Sequence, residues 1–121
     1  MNRVVHFEIA ADNPERAATF YKSVFGWQID KWGGPRDYWM VTTGPDDHKG
    51  INGGIFKRMG PVGHVNSIDV ASVDEFVTKV EFEGGKVVVP KMAIPGVGWL
   101  AYCQDTEGSI FGLHEADPSA T

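Results

Sequence analysis

Residues 6–29 read HFEIAADNPERAATFYKSVFGWQI, and this stretch decides the fold class. Its first residues alternate as in a β-strand. Asn13 is a suitable N-cap and Pro14 suits the first helical position, so a helix is predicted over 14–25. The apolar residues of this segment recur at helical spacing, and Gly26 ends it. The stretch therefore predicts a strand, a helix with one apolar face, and a second strand.

The same order of elements recurs in the second half of the chain. Ser72 and Glu75 form an S-x-x-E capping box ahead of a second apolar stripe, which predicts a helix over 73–83. Segments rich in β-branched and aromatic residues, separated by glycine and proline, predict the strands. These strands are expected near 3–10, 27–31, 37–43, 51–57, 64–70, 86–90, 98–103 and 109–115. The order β-α-β-β-β thus occurs twice, which indicates two copies of one supersecondary unit.

Length and composition limit the class of protein. The chain has 121 residues, enough for a single domain over 1–121, with module one at 1–58 and module two at 64–116. A formal net charge of −5 argues against a nucleic-acid partner. Without a long apolar run or a signal-peptide pattern, no membrane partner is expected. The one cysteine, Cys103, is expected to be buried, and a cytoplasmic location is predicted.

Several motifs indicate a known family. They are the FY…VFGW exit of the first helix, the GGKV turn, and the D-x-E-G-x-x-F-G-L ending of IDVASVDEFVTKVEFEGGKVVVPKMAIPGVGWLAYCQDTEGSIFGLHE, residues 68–115. Together with residues 6–29 they resemble the vicinal oxygen chelate superfamily, which includes glyoxalase I, bleomycin-resistance proteins and extradiol dioxygenases. The chain is most similar to its short, glyoxalase-related bacterial members. The resemblance implies an α+β fold in which two βαβββ modules form a cupped mixed sheet around a cavity, and it implies a homodimer.

The resemblance also implies a test for a metal site. Enzymes of this superfamily typically bind a divalent metal through ligands on the first and last strands of each module. His6 matches the first of these positions, but the others fall on Val65, Gly54 and Gly112. His64 could replace Val65 only if a bulge turned it over. Because a catalytic metal needs about three protein ligands, no cofactor is expected.

Two other interpretations of these residues remain open. His6 and Glu8 share a strand face, so with His114 they could form a substitute metal site of a lyase, isomerase or dioxygenase. Glu8 and Asp69 are candidates for acid–base catalysis without a metal, since burial raises the pKa of a carboxyl group. Glycine at 54 and 112 marks either the close approach of a ligand or relief of strain in a curved sheet.

The function expected from the sequence is binding of a small hydrophobic or aromatic molecule in the sheet cavity. Ligand pockets are mostly apolar and aromatic with a few placed polar groups. The expected lining residues are His6, Glu8, Trp39 (or Tyr38 in its place), Asn52, Phe56, Ser67, Trp99, Tyr102 and His114. Strand alternation does not decide which face Trp39 and Trp99 occupy.

Two segments outside the strands also carry expectations. KMAIPGVGW, residues 91–99, is expected to be a loop that serves as a cavity lip, a dimer contact or a mobile lid. The acidic tail over 117–121 is expected to be frayed.

Overall fold

The structure is a computed structural model that describes residues 2–60 and 62–121. In these residues it contains the strands and helices β1 (Val4–Ala11), α1 (Pro14–Phe25), β2 (Gln28–Lys31), β3 (Tyr38–Thr42), β4 (Asn52–Lys57), β5 (Val65–Asp69), α2 (Val73–Phe82), β6 (Lys86–Ile94), β7 (Gly98–Gln104) and β8 (Ile110–Ala116). The predicted α+β class and the repeated β-α-β-β-β order are confirmed. No helix in the described part of the chain is long and apolar enough to span a membrane.

The chain divides into two compact units. Residues 6–65 form one, here called the N-terminal unit. Residues up to Val5 and those from Asn66 onward form the other, here called the C-terminal unit. Each unit contains one helix and four strands, and its first strand is parallel to its last.

In the N-terminal unit the strand order is β2-β3-β4-β1, and α1 covers one face of this sheet. The Asn13 side chain accepts a hydrogen bond from the Arg16 backbone N–H at 3.1 Å, which caps α1 as predicted. Gly26 ends the helix at a φ of 71°, a left-handed conformation that glycine adopts without strain. The core beneath α1 consists of Ala11, Ala18, Ile29, Val41 and Ile55. The opposite face carries His6 and Glu8 and is called the His6 face.

The C-terminal unit repeats this arrangement with the strand order β5-β8-β7-β6. Ser72 Oγ accepts the Glu75 backbone N–H at 3.1 Å, so the predicted capping contact is present. Glu115 on β8 accepts the Val73 backbone N–H at 2.9 Å and ties the start of α2 to the sheet. The core beneath α2 consists of Val70, Val73, Ala101, Cys103 and Leu113. The opposite face carries Ser67 and Asp69 and is called the Ser67 face.

Cys103 is fully buried in this core. Burial, with a smaller contribution from the nearby charge of Glu81, raises the pKa of its thiol. A raised pKa disfavours the thiolate, which is the reactive form. The predicted burial of Cys103 is confirmed.

The expected loop over 91–99 is wrong in extent, because β6 continues through Pro90 to Ile94. Proline lacks the N–H that a ladder needs, and it is tolerated at bulges and on edge strands. The pairing of β6 with β7 shifts register between Val89 and Met92, which places Pro90 at such an irregularity. Only the short turn between Ile94 and Gly98 lies outside the strands, so no long lid is present here.

The expectation of a frayed tail is also wrong. Ala120 is 1% exposed, and its carbonyl accepts the Gly96 N–H at 3.0 Å. The Asp117 N–H donates to the Val97 carbonyl at 3.0 Å. The carboxylate of Asp117 also accepts the indole N–H of Trp99 at 2.9 Å. Backbone and side-chain hydrogen bonds therefore hold the tail against the β6–β7 turn.

We expect acid to release this tail through Asp117. Hydrogen bonds from Ser119 and Trp99 lower the pKa of the Asp117 carboxyl. Because the folded pKa lies below the unfolded one, the stabilisation is present above about pH 4 and is lost as the pH falls through the lowered value. Asp117→Asn should therefore lower the thermal midpoint at pH 7. It should also make the midpoint decrease less as the pH falls below 4. Thermal unfolding from pH 7 to pH 2 measures this.

Asp46→Asn, in the exposed β3–β4 loop, is the matched control and should leave both quantities close to those of the unmodified chain. An Asp117→Asn variant with an unchanged acid profile would contradict the role given to Asp117.

Candidate ligand-binding site

The His6 face is organised around a contact between His6 on β1 and Tyr38 on β3. His6 Nε2 lies 2.7 Å from Tyr38 Oη, and the tautomer of the imidazole decides which atom donates. The two rings are nearly parallel, at 15°, with centroids 6.4 Å apart. Both side chains are half-buried. The hydrogen bond therefore fixes the imidazole nitrogen that would otherwise face a ligand or a metal.

Gly54 makes this contact possible. It lies on β4 between Glu8 on β1 and Met40 on β3, so it belongs to the same face. A Cβ atom at this position would overlap the ring and hydroxyl of Tyr38. The group that approaches this glycine is the chain's own Tyr38, and the close approach of a ligand stays a prediction. Tyr38 fills the space in which the resemblance implies a metal-binding carboxylate.

Glu8 and Phe56 complete the buried part of the His6 face. Glu8 is 7% exposed and Phe56 is 6% exposed. A buried carboxyl group is costly unless it is hydrogen-bonded. No buried side-chain nitrogen or oxygen within 2–60 and 62–121 lacks a hydrogen-bond partner. Glu8 is thus part of a satisfied polar arrangement.

Asn52 pairs with His6 in register but is turned towards the loop after β3. Its side-chain oxygen accepts the Thr43 backbone N–H at 2.9 Å and the Thr43 hydroxyl at 3.3 Å. Asn52 is also exposed. We therefore assign it to the support of the β3–β4 loop.

Trp39 and Trp99 were expected among the lining residues of the cavity, but neither lies on the His6 face or the Ser67 face. Trp39 pairs with the core residue Ile55 and packs on the α1 side of its sheet. Trp99 packs on the α2 side, where its ring also lies 4.6 Å from the ammonium group of Lys91. Alternation along a strand places each tryptophan opposite to its neighbours, so Tyr38 rather than Trp39 reaches the His6 face.

The Ser67 face brings together four of the predicted residues of the C-terminal unit, which are Ser67, Asp69, Tyr102 and His114. Ser67 and Tyr102 both pair with Gly112 and are almost fully buried. A Cβ at Gly112 would lie 2.9 Å from Ser67 Oγ, so this glycine is also closely approached by the chain itself. Asp69 lies directly opposite His114.

His64 does not replace Val65 as a first-strand residue. It precedes β5, is exposed, and stacks on Phe7 with ring centroids 6.4 Å apart. Phe7 belongs to the α1 side of the N-terminal unit.

Two open grooves of the N-terminal unit lie away from His6, Glu8 and Tyr38. One, of about 280 Å³, is lined by Thr43, Gly44, Pro45, Asp46, His48, Lys49, Gly50 and Asn52. The other, of about 310 Å³, is lined by Glu15, Ala18, Thr19, Lys22, Ile29, Asp30, Lys31 and Trp39. Both are more polar than apolar, unlike typical small-molecule pockets.

Sequence reasoning missed Trp32, which stands beside Tyr38. The two rings meet edge to face at 81°, with centroids 6.4 Å apart. The Trp32 ring lies over Gly34, where a Cβ would overlap it. The Trp32 N–H donates to the Tyr38 carbonyl at 2.7 Å. A tryptophan followed at once by two glycines was the available signal, because a large ring next to glycine can fold back over the backbone.

Comparisons with known proteins agree with this fold. Residues 3–44 match the family described as bleomycin resistance protein-like N-terminal. Two proteins named "Putative glyoxylase CFP32", from Mycobacterium bovis and Mycobacterium tuberculosis, are 30% identical over 116 aligned residues. The alignment covers 91% of this chain and 44% of each of them, so the chain spans less than half the length of these relatives.

Solved structures extend the agreement to the whole fold. A variant of Streptomyces coelicolor methylmalonyl-CoA epimerase in complex with 2-nitronate-propionyl-CoA superposes with a TM-score of 0.69 at 13% identity, covering 100% of this chain and 99% of that one. The Mycobacterium tuberculosis methylmalonyl-CoA epimerase gives 0.65 at 14% identity, covering 94% and 87%. The predicted resemblance to the vicinal oxygen chelate superfamily is confirmed.

The donor atoms of this chain do not fit the metal site implied by the resemblance to the vicinal oxygen chelate superfamily. Of the four implied positions, Val65, Gly54 and Gly112 offer no side-chain ligand, and His6 is engaged by Tyr38. Among the residues that the structure describes, no three His, Cys, Asp or Glu side chains lie close enough together to hold an ion. The substitute set of His6, Glu8 and His114 stays a hypothesis, because His114 belongs to the C-terminal unit and the other two residues belong to the N-terminal unit.

We expect the fit between Tyr38 and Gly54 to appear in stability measurements. Gly54→Ala should lower the free energy of unfolding by about 1–3 kcal/mol, because the new methyl group overlaps the Tyr38 ring. In a Tyr38→Ala background, Gly54→Ala should lower the free energy of unfolding much less, because the space of the Tyr38 ring is then empty. Chemical denaturation of the two single variants and the double variant measures this coupling.

Gly44→Ala is the control, because a Cβ at Gly44 meets nothing within 4 Å. Additive effects of the Tyr38 and Gly54 changes would show that the two residues do not share one space.

Proposed function

We propose that this chain binds a small hydrophobic or aromatic molecule on the His6 face, without the divalent metal of the superfamily's enzymes. The observation that carries the proposal is the placement of Tyr38, which binds His6 Nε2 at 2.7 Å and covers Gly54. One side chain thus engages the matching histidine and occupies the place of a missing carboxylate.

The composition of the face supports a ligand of this kind. Tyr38 supplies a half-buried aromatic ring and His6 a half-buried imidazole, and Phe56 and Glu8 are buried in the same face. Such a mixture is typical of small-molecule sites. The S. coelicolor epimerase of the same fold is in complex with a CoA derivative, which supports a small organic ligand but does not identify it.

Several other expectations from the sequence stay predictions. They are a homodimer, a cytoplasmic location, and the absence of nucleic-acid and membrane partners. Catalysis by Glu8 or Asp69 also stays a prediction. The alternative of a metal-dependent lyase, isomerase or dioxygenase needs ligands that the described residues do not bring together.

A metal titration tests the proposal against that alternative. A ligand that binds the folded state raises the thermal midpoint with concentration. We expect Zn²⁺, Ni²⁺, Mn²⁺ and Fe²⁺ to give the unmodified chain and His6→Ala the same response, because His6 is held by Tyr38. The measurement is thermal unfolding at increasing concentrations of each ion.

If a metal ion raises the thermal midpoint of the unmodified chain but not that of His6→Ala, the proposal is contradicted and His6 is a metal ligand. A rise that persists in His6→Ala would report binding elsewhere, for example at the exposed His48 or His64.

Ligand binding itself is tested by NMR titration with a library of small aromatic and aliphatic molecules. The proposal requires shift changes that cluster on the backbone of His6, Tyr38 and Phe56. Clustering around either of the two polar grooves, or no binding at millimolar concentrations, would contradict it.

A further inference from the structure

We infer that the groove between α1 and β2 binds an extended peptide, which adds to the sheet as a strand beside β2. The groove has a volume of about 310 Å³. One wall is a flank of α1 that includes Ala18, and the other is the edge of β2 with Ile29 and Lys31. Ile29 and Trp39, which also lines the groove, pack on the α1 side of the sheet and not on the His6 face. The groove is therefore a second site, separate from the site of the proposed function.

The free edge of β2 offers backbone groups for an added strand. In the described residues β2 is the last strand at one side of the sheet, and only β3 pairs with it. The Trp32 N–H donates to the Tyr38 carbonyl at 2.7 Å, which continues the β2–β3 ladder. Because hydrogen-bonded pairs alternate with non-bonded ones in an antiparallel ladder, Ile29 and Lys31 direct their N–H and C=O groups away from β3.

The burial of Ile29 favours a partner for these groups. Ile29 is 3% exposed. Backbone polar groups of buried residues are nearly always hydrogen-bonded, because leaving them unpaired away from water costs free energy. β3 does not supply the partner, since it lies on the other side of β2. A peptide along the edge supplies it in the way that a further strand would.

An extended peptide fits this edge better than a compact molecule does. In an antiparallel ladder the groups that point to one side recur every two residues, which is the spacing of Ile29 and Lys31. A peptide can therefore bond to both residues at once, and strand addition is a general mode of peptide recognition. Its alternate side chains point to one face. The buried Ala18 and Ile29, with the half-buried Trp39, favour an apolar side chain at the centre of that face.

The rim of the groove carries charges that complement such a peptide. Glu15 and Lys22 line the groove about two helical turns apart, which is about 10 Å. Neither side chain forms an ion pair within residues 2–60 and 62–121. Residues i and i+4 of an extended chain are about 13 Å apart, so long charged side chains at these positions reach both. A basic residue near Glu15 and an acidic residue near Lys22 are therefore complementary.

The direction of the peptide follows from the direction of α1 and β2. Because the connection between them is short, these elements run in opposite directions, so Lys22 flanks the start of β2 and Glu15 flanks its end. Antiparallel pairing is more stable per residue than parallel pairing. A peptide antiparallel to β2 thus runs from the Glu15 end to the Lys22 end. Its order is basic, any, apolar, any, acidic.

A second copy of the chain is a less suitable occupant of this edge. β2 has only four residues, which include Asp30 and Lys31. Short edge strands with charged side chains are typical of edges protected against pairing with one another. The Asp30 carboxylate already accepts a hydrogen bond from Gln28 at 3.0 Å. Lys31 already pairs with Asp37 at 3.5 Å, so recognition by charge is left to the α1 flank.

The test is an NMR titration of the chain with three short peptides, each acetylated and amidated at its ends. The first, Lys-Thr-Val-Thr-Glu, has the expected order, and the second, Glu-Thr-Val-Thr-Lys, is its reverse. The third is the first peptide with N-methylvaline at its centre, which removes one main-chain donor and keeps the charged side chains. Lys22→Glu changes the groove, and Lys49→Glu, outside this groove, is the matched control with the same change of charge.

We expect the first peptide to shift the amide signals of Ile29 and Lys31 and to slow their hydrogen exchange, because both amides become hydrogen-bonded. It should bind about 5-fold more tightly than the reversed peptide, the value of two exposed ion pairs. The N-methyl peptide should bind about 5-fold more weakly than the first. Lys22→Glu should lose the preference for order, and Lys49→Glu should keep it.

Any of the following results would overturn the inference. Equal binding of the N-methyl peptide would show that no strand is added, and equal or tighter binding of the reversed peptide would remove the role of Glu15 and Lys22. No change at Ile29 and Lys31 with millimolar peptide would show that the edge is not a site. Changes there on raising the protein concentration alone would show that β2 pairs with a second copy. These comparisons on the unmodified chain decide even if Lys22→Glu is unstable, and none of them bears on the His6 face or the proposed function.

Discussion

The ring of Tyr38 lies over the backbone of Gly54, and its hydroxyl is 2.7 Å from His6 Nε2. This arrangement needs a glycine at 54, because any Cβ there would overlap the tyrosine. It also commits one of the two imidazole nitrogens of His6, because Nε2 bonded to a phenol is not available to a metal without breaking that bond. The chemistry of the His6 face therefore depends on a single side chain from β3.

The two units have the same arrangement of strands but differ in the side chains that pack against the glycine of the last strand. In each, a glycine on the last strand lies opposite a residue of the first: Gly54 opposite Glu8, and Gly112 opposite Ser67. A tyrosine covers Gly54, whereas the small hydroxyl group of Ser67 is close to Gly112. Both units thus have the same arrangement of strands, while the residues at the positions where the resemblance implies metal ligands pack differently in each.

Sequence predicted the elements well because their boundaries depend on local chemistry. Asn13, Ser72 and Gly26 act on the backbone within a few residues, and the structure contains each of these contacts. The sites of Tyr38 and Trp99 depend instead on strand register and on which face packs against a helix. The continuation of β6 past Pro90 depends on an irregular pairing with β7, which no local pattern reveals. Gly54 was visible in the sequence, but the residue that lies over it, Tyr38, comes from another strand.

The most direct test of this account is a crystal structure of the chain grown in millimolar zinc, with the anomalous signal measured at the zinc edge. The account predicts no anomalous peak at His6 Nε2 and a Tyr38 hydroxyl that remains within hydrogen-bonding distance of it. A zinc peak bound to His6, with the Tyr38 ring moved off Gly54, would contradict the account and restore a metal centre to this face.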